Sequence, residues 1–175
     1  MLTNKVMKKL ILGILVGAWL ISCDETESIN KEFTGNETVY SLEQGSAYTV
    51  SGLVIIKEKI DGTAFLEVNL WGTEAGIEHP THLHMGSISA PGADVAALLN
   101  PVKGKTGLSE THLTQLADES PISYRELTNL NACIKVHLGS SGPDRDIILA
   151  GGNIGKAAIP GVSGGRIGIG VCKSE

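Results

Sequence analysis

The sequence predicts an all-β chain folded as an antiparallel β-sandwich. Short runs in which apolar and polar residues alternate recur along the chain, and a period of two is the pattern of a strand with one buried face. Glycine, proline, asparagine and aspartate separate these runs, and the chain contains 22 glycines, which is typical of turns between short strands. Several such strands bury their apolar faces by packing as two sheets.

The first residues predict export. Three lysines precede an apolar run at residues 10–21, which is too short for a lasting membrane span. Leu20-Ile21-Ser22-Cys23 resembles a bacterial lipobox, so we expect residues 1–22 to be a signal peptide and Cys23 to carry acyl chains that hold the protein on a membrane. The acidic residues 24–27 resemble signals that sort lipoproteins to the outer membrane or cell surface. The alternative is a plain secretory signal with a chance cysteine.

One domain should follow the anchor. Residues 23–37 are polar and without periodicity, as in a flexible stalk, and residues 38–175 form the expected domain. Removing 22 of 175 residues leaves 153, which suits one domain. The net charge of −5 and the lack of a basic cluster beyond the signal argue against a nucleic-acid partner.

The strands follow in order. Alternation is clear at residues 47–59 and again at 64–71, and Asp61-Gly62 between them predicts a hairpin turn. Three later runs predict strands at residues 132–138, 146–151 and 166–172.

Between residues 93 and 127 the alternation fails. Two stretches there could each form a short helix, and Ser109 resembles a helix N-cap. We therefore expect one long, partly helical connection over this span.

Two cysteines remain after Cys23, namely Cys133 and Cys172. An even number in an exported protein favours pairing. A disulfide between them would close a loop of about 40 residues and contribute about 4 kcal/mol to stability. The alternative is two unpaired thiols.

The histidines predict a metal site. On an extended strand, His82 and His84 point to one side, about 6.6 Å apart along the backbone. In the strand at 132–138 the apolar set occupies the core face, so His137 projects outward with Cys133 and Lys135. Three neutral imidazoles from two strands suit copper or zinc, whereas calcium and magnesium prefer oxygen. The alternative is a solvated strand face.

Several segments resemble a CHRD domain and, more distantly, copper-zinc superoxide dismutase. They are VSGLVIIKEKIDGTAFLEVNLWG, HPTHLHMG, IKVHLGSSGPDRDIILAGGNIG and GGRIGIGV. The resemblance covers residues 38–172 and implies a Greek-key sandwich. It places His82, His84 and His137 on three copper ligands, and His79 on a structural histidine. His79 could equally hydrogen-bond a loop.

The dismutase resemblance also implies what is lost. The histidine that bridges copper and zinc aligns with Leu98, and two other zinc ligands align with Thr106 and Gln115. Only His112 is retained on the zinc side, and it could equally be an exposed loop residue. The resemblance therefore implies a three-histidine site that could bind copper, and it implies that no intact zinc site is present.

Three functions remain open from the sequence. The favoured one is a membrane-anchored copper-binding module. The second is a copper-dependent superoxide dismutase in which Arg166, aligned with an anion-guiding arginine, steers the substrate; Arg166 could equally be a surface charge. The third is a structural or interaction module of the envelope that carries no metal.

Overall fold

The structure, a computed structural model, describes residues 32–158. That part contains eight strands, one short α-helix and one 3₁₀ helix, so the prediction of an all-β chain is confirmed. The elements are β1 (Phe33–Gln44), β2 (Ser51–Lys59), β3 (Ala64–Trp71), β4 (Glu78–Met85), β5 (Val95–Lys103), β6 (Leu108–Leu113), α1 (Tyr124–Leu127), β7 (Asn131–His137), the 3₁₀ helix (Gly142–Arg145) and β8 (Ile148–Gly155). No helix between residues 32 and 158 has both the length and the apolar character needed to cross a membrane.

Several predictions fall on residues outside the described range. They concern the signal peptide at 1–22, the lipidated Cys23, the strand at 166–172, Arg166 and Cys172. All of them stay predictions.

The strands form one closed antiparallel barrel in the order β1-β2-β3-β6-β5-β4-β7-β8. Two joints in it are narrow, because β5 pairs with β6 through Lys103 and Leu108, and β1 pairs with β8 at Glu43 and Gln44. The barrel therefore has two four-stranded halves, β1-β2-β3-β6 and β5-β4-β7-β8. The sequence predicted two separate sheets; alternation identifies the buried face of a strand but not whether the sheet edges pair.

The β2–β3 hairpin follows the predicted pattern. Val54 and Ile56 on β2 and Leu66 and Val68 on β3 are buried inside the barrel. Gly62 forms the turn with a positive φ of 82°, and its N–H donates to the Lys59 carbonyl at 2.8 Å. Glycine adopts this backbone conformation without steric cost.

The long helical connection predicted at residues 93–127 is wrong. Strands β5 and β6 occupy 15 of its 35 residues, and its helical part is the four-residue α1 at its end. The inward positions of β6 include Ser109 and Thr111, whose polar side chains hide the alternation. The Ser109 hydroxyl donates to the Asn100 carbonyl at 2.6 Å, and the Asn100 N–H donates to the Thr111 hydroxyl at 2.9 Å. These hydrogen bonds allow polar groups to be buried.

The helix cap predicted at Ser109 lies instead at Ser123. Its hydroxyl accepts from the Glu126 N–H at 3.2 Å, and the Glu126 carboxylate accepts from the Ser123 N–H at 2.8 Å. This reciprocal pair is a capping box. It starts α1, which contains four residues.

The fold also begins earlier than predicted. Strand β1 starts at Phe33, so residues 33–37 belong to the barrel and not to the stalk. The ring of Phe33 packs edge-on against Phe65 at 5.4 Å between centroids. A register shift between Phe33 and Glu37 interrupts the alternation there and explains the missed strand start.

Candidate metal centre

The site lies on the outer face of β4 and β7, which pair antiparallel. His82 and His84 project from β4, and His137 projects from the end of β7. The ring centroids are 4.8 Å apart for His82 and His137, 5.8 Å for His82 and His84 and 6.4 Å for His84 and His137. The structure thus brings together the three histidines that the sequence singled out.

The nitrogen positions fit one shared ion. One ring nitrogen from each histidine lies within 4.8 Å of the other two. Nitrogen ligands lie about 2.0–2.1 Å from a metal ion, so two of them can be at most about 4.2 Å apart. The 4.8 Å bound exceeds this limit by about 0.6 Å, a gap that a movement of the rings on metal binding has to close.

Backbone carbonyls orient two of the three rings. Nδ1 of His84 lies 2.9 Å from the Ala93 carbonyl oxygen, and Nδ1 of His137 lies 2.6 Å from the Arg145 carbonyl oxygen. A carbonyl only accepts hydrogen bonds, so each Nδ1 carries the proton and each neutral ring has its lone pair on Nε2. Metal-binding histidines have the same second hydrogen bond, which fixes the tautomer and the ring direction.

The Nε2 atom of His137 is the most informative atom of the site. It is buried and has no hydrogen-bond partner among residues 32–158, a state that it shares there with the Nε2 of His79 and the Ser46 hydroxyl, both outside the cluster. A buried polar atom without a partner costs about 1–3 kcal/mol, and native proteins keep few of them. A metal ion bound to this lone pair would remove that cost.

The protonation of the three rings also suits a metal. The pKa of His82 is lowered from its ordinary value of 6.5 to about 4, first by burial and then by the neighbouring His137 and His84. Burial likewise lowers the pKa of His84 and of His137, against the raising effect of their carbonyl hydrogen bonds. All three are therefore neutral at pH 7, which is the form that binds metal ions.

The outer face of β7 is buried. This differs from the prediction that its side chains project outward. Cys133 and Lys135 are buried together with His137. Beside this face, Ile88 in the loop of residues 86–94 is fully buried and lies over β8. The Ile88 N–H donates to the Asn153 side-chain oxygen at 2.7 Å. Gly151 leaves room for Ile88, since a Cβ on that glycine would lie 2.6 Å from the Ile88 Cδ1.

One side of the site is open. His82 is only half-buried, whereas His84 and His137 are buried. Leu98 on β5 pairs directly with His82, so their side chains share a face, and Leu98 is 73% exposed. Leu98 is also the residue that the dismutase resemblance aligns with the bridging histidine.

The other two histidines lie apart from the cluster. His79 is buried on the core face of β4, and its Nδ1 lies 3.1 Å from the Leu138 carbonyl oxygen, which is the loop hydrogen bond considered from the sequence. His112 is exposed, but it lies on β6 and not on a loop. Its Nε2 lies 2.7 Å from the Thr63 hydroxyl oxygen.

Residues 32–158 contain one group of three or more histidine, cysteine or acidic side chains close enough to hold a metal, which is the three-histidine group. Thr106 and Gln115 contribute no ligand to it. Cys133 is buried, and it pairs with His84 across β7 and β4. Cys172, the predicted disulfide partner of Cys133, lies outside the described residues.

Sequence reasoning missed the groups that support the site. The carbonyls of Ala93 and Arg145 leave no side-chain signature, because any residue carries a carbonyl. Ile88 lies in a segment without a motif, and Asn153 lies in a segment whose resemblance to a CHRD domain assigns it no role. No protein-family model, curated protein or solved structure matches this chain.

Proposed function

We propose that this domain is a copper-binding module whose ligands are His82, His84 and His137. The buried Nε2 of His137, which has no hydrogen-bond partner within residues 32–158, is the observation that carries the proposal. The Nδ1–H of the same ring is held by a carbonyl. The ring is therefore oriented with its lone pair toward the other two histidines.

Copper is the metal that the donor set favours. Three neutral imidazoles without a carboxylate suit a borderline or soft ion, and Cu²⁺ binds such nitrogen sites more tightly than Zn²⁺. A structural zinc site needs four protein ligands, and the group within residues 32–158 supplies three.

Binding is a better proposal than dismutation. A dismutase-type copper centre uses a bridging imidazole to relay a proton, and that place aligns with Leu98. Leu98 lies across β5 from His82 and cannot carry a proton. Copper-loaded protein should therefore show no more dismutation than copper bound to an unrelated protein.

The domain is further proposed to be exported and lipid-anchored in a bacterial cell envelope, with a Greek-key fold of the CHRD and dismutase type. The apolar run before Cys23 supports the first part. The two four-stranded halves, with β3 paired to β6 and β4 between β5 and β7, support the second. Metabolic labelling with a radioactive fatty acid tests the anchor, since Cys23→Ser should abolish the label.

Calorimetric titration of the mature domain with Cu²⁺ and with Zn²⁺ tests the metal site. The His82→Ala/His84→Ala double variant should lose high-affinity copper binding. The His112→Ala variant is the matched control, because this histidine lies outside the cluster, and it should bind as the wild type does. Equal copper binding by the double variant and the control would refute the assignment.

A further inference from the structure

The three ligands of the proposed copper site are held in two different ways. His84 and His137 are buried, and a carbonyl fixes the Nδ1 of each ring. The His82 side chain is half-buried and forms no hydrogen bond to any residue from 32 to 158. Its ring contacts are with the other two histidines. The backbone therefore fixes the rings of two ligands and does not fix the third.

The side of the site beyond His82 carries no metal-binding side chain on the neighbouring strand. That strand is β5, where Leu98 pairs with His82 and Val95 pairs with His84. Both are apolar and exposed, at 73% and 40%. An aliphatic side chain does not bind a metal ion, so a donor from outside the domain can approach there without displacing a protein ligand first.

Resting on the proposed copper site, we propose that the domain carries copper as cargo and releases it by ligand exchange at His82. An incoming nitrogen or sulfur donor enters from the Leu98 side and forms a bond to the ion. The bond from His82 then breaks, and the ring nitrogen that held the ion keeps the electron pair. The oxidation state of copper is unchanged, so the step needs no oxidant or reductant.

His84 and His137, the two buried ligands, keep the ion bound during this exchange. His84 and His137 stay in place because the Ala93 and Arg145 carbonyls hold them. Ile88 and Asn153 hold the loop that supplies Ala93. An acceptor can thus displace the loosely held ligand while two ligands still hold the ion. This arrangement suits a site that passes a metal on and does not suit one that stores it permanently.

The variant Leu98→His tests the open side directly. Residues paired across antiparallel strands have Cβ atoms about 4.5–5.5 Å apart, so a histidine at this position would reach the same ion as His82. Leu108→His is the matched control, because it makes the same change at an exposed strand position of β6. Stopped-flow spectroscopy measures transfer of Cu²⁺ from each loaded protein to excess EDTA.

For the wild type, the observed transfer rate should rise linearly with EDTA concentration. Leu98→His should lower the second-order rate constant by about tenfold or more, because a tethered fourth ligand has a high effective concentration. Leu108→His should stay within about twofold of the wild type, as expected for a distant site. Visible spectra of the loaded proteins should change for Leu98→His and stay unchanged for Leu108→His.

A wild-type rate independent of EDTA concentration would overturn the exchange proposal, since the ion would then leave before the acceptor arrives. Equal rates for the two histidine variants would overturn it as well. Both results leave the copper site itself intact, because they are obtained on copper-loaded protein. A wild-type protein that takes up no copper would instead refute the proposed function, and the exchange with it.

Discussion

Strands β3 and β7 carry similar apolar patterns but meet different surroundings. On β3, Leu66, Val68 and Leu70 are buried, and the residues between them are partly exposed. On β7, every residue from Ala132 to His137 is buried. The inner faces of both strands line the barrel core. The difference lies on the outer face, which is buried on β7 and partly exposed to solvent on β3.

This difference decides what polar side chains can do. On the half of the barrel that contains β3, Lys57 and Glu67 form an ion pair at 2.6 Å in partial contact with water. On β7 the polar residues His137 and Lys135 are both buried. Burial lowers the pKa of the His137 ring and keeps it neutral. Burial of the outer face thus distinguishes the candidate metal site on β7 from the solvated face of β3.

The largest expected effect comes from the loop of residues 86–94. Ile88→Ala removes a fully buried side chain and should lower the free energy of unfolding by about 2–5 kcal/mol. Copper affinity should also fall, because the same loop supplies the carbonyl that orients His84. Urea denaturation followed by fluorescence or circular dichroism measures the first effect, and titration measures the second.

Leu98→Ala is the control for this experiment. It also shortens an aliphatic side chain near the site, but Leu98 is 73% exposed, so the cost should stay within about 0.5 kcal/mol. A loss for Ile88→Ala as small as that of Leu98→Ala would mean that the loop does not seal β7. The contrast between β3 and β7 would then fail.

An intermediate effect is expected from acid. The pKa of His82 is about 4 in the folded protein against an ordinary 6.5, and the pKa values of His84 and His137 are lowered as well. Between these values the unfolded chain binds more protons than the folded protein, so unfolding becomes easier as the pH falls. Metal-free protein should lose stability from about pH 6.5 toward pH 4.

Urea denaturation at several pH values between 7 and 4 checks this direction for the metal-free protein. The His82→Gln variant cannot take up a proton at this position, so its stability should fall less steeply over the same window. The carboxylates of the chain titrate identically in the two proteins and cancel in the comparison. Parallel pH profiles would contradict the lowered pKa of His82.

The sequence was a good guide where one rule governs a strand. Alternation predicted β2, β3 and β7, and the side-chain parity of a strand predicted that His82 and His84 share a face with each other and meet His137. The rule failed for β5, where register shifts interrupt the pairing with β4 and place Ala96 and Ala97 both in buried positions. A bulge breaks the period of two, and no residue type announces it.

The burial of the site could not be predicted, because it depends on a loop. Local pattern shows that His137 lies opposite the core face of β7, and it gives no information on what packs there. Ile88 is held beside β7 by tertiary contacts, namely the hydrogen bond to Asn153 and the space above Gly151. The candidate ligands could therefore be predicted from the sequence. The tautomers and protonation states of their rings depend on contacts that only the folded structure shows.

The smallest expected effect lies on the uncovered face of β3. Glu67→Gln removes the ion pair with Lys57. The side chains of Glu67 and Lys57 are 24% and 27% exposed. Such a pair contributes about 0.2–1 kcal/mol, and Glu67 also faces the like-charged Glu110 on β6, which offsets part of that value. The variant should thus lose less than about 1 kcal/mol, and the difference should shrink in high salt because exposed charges are screened. Urea denaturation at low and high ionic strength measures both. A loss as large as that of Ile88→Ala, or one insensitive to salt, would mean that the polar residues of β3 are sealed from water as those of β7 are.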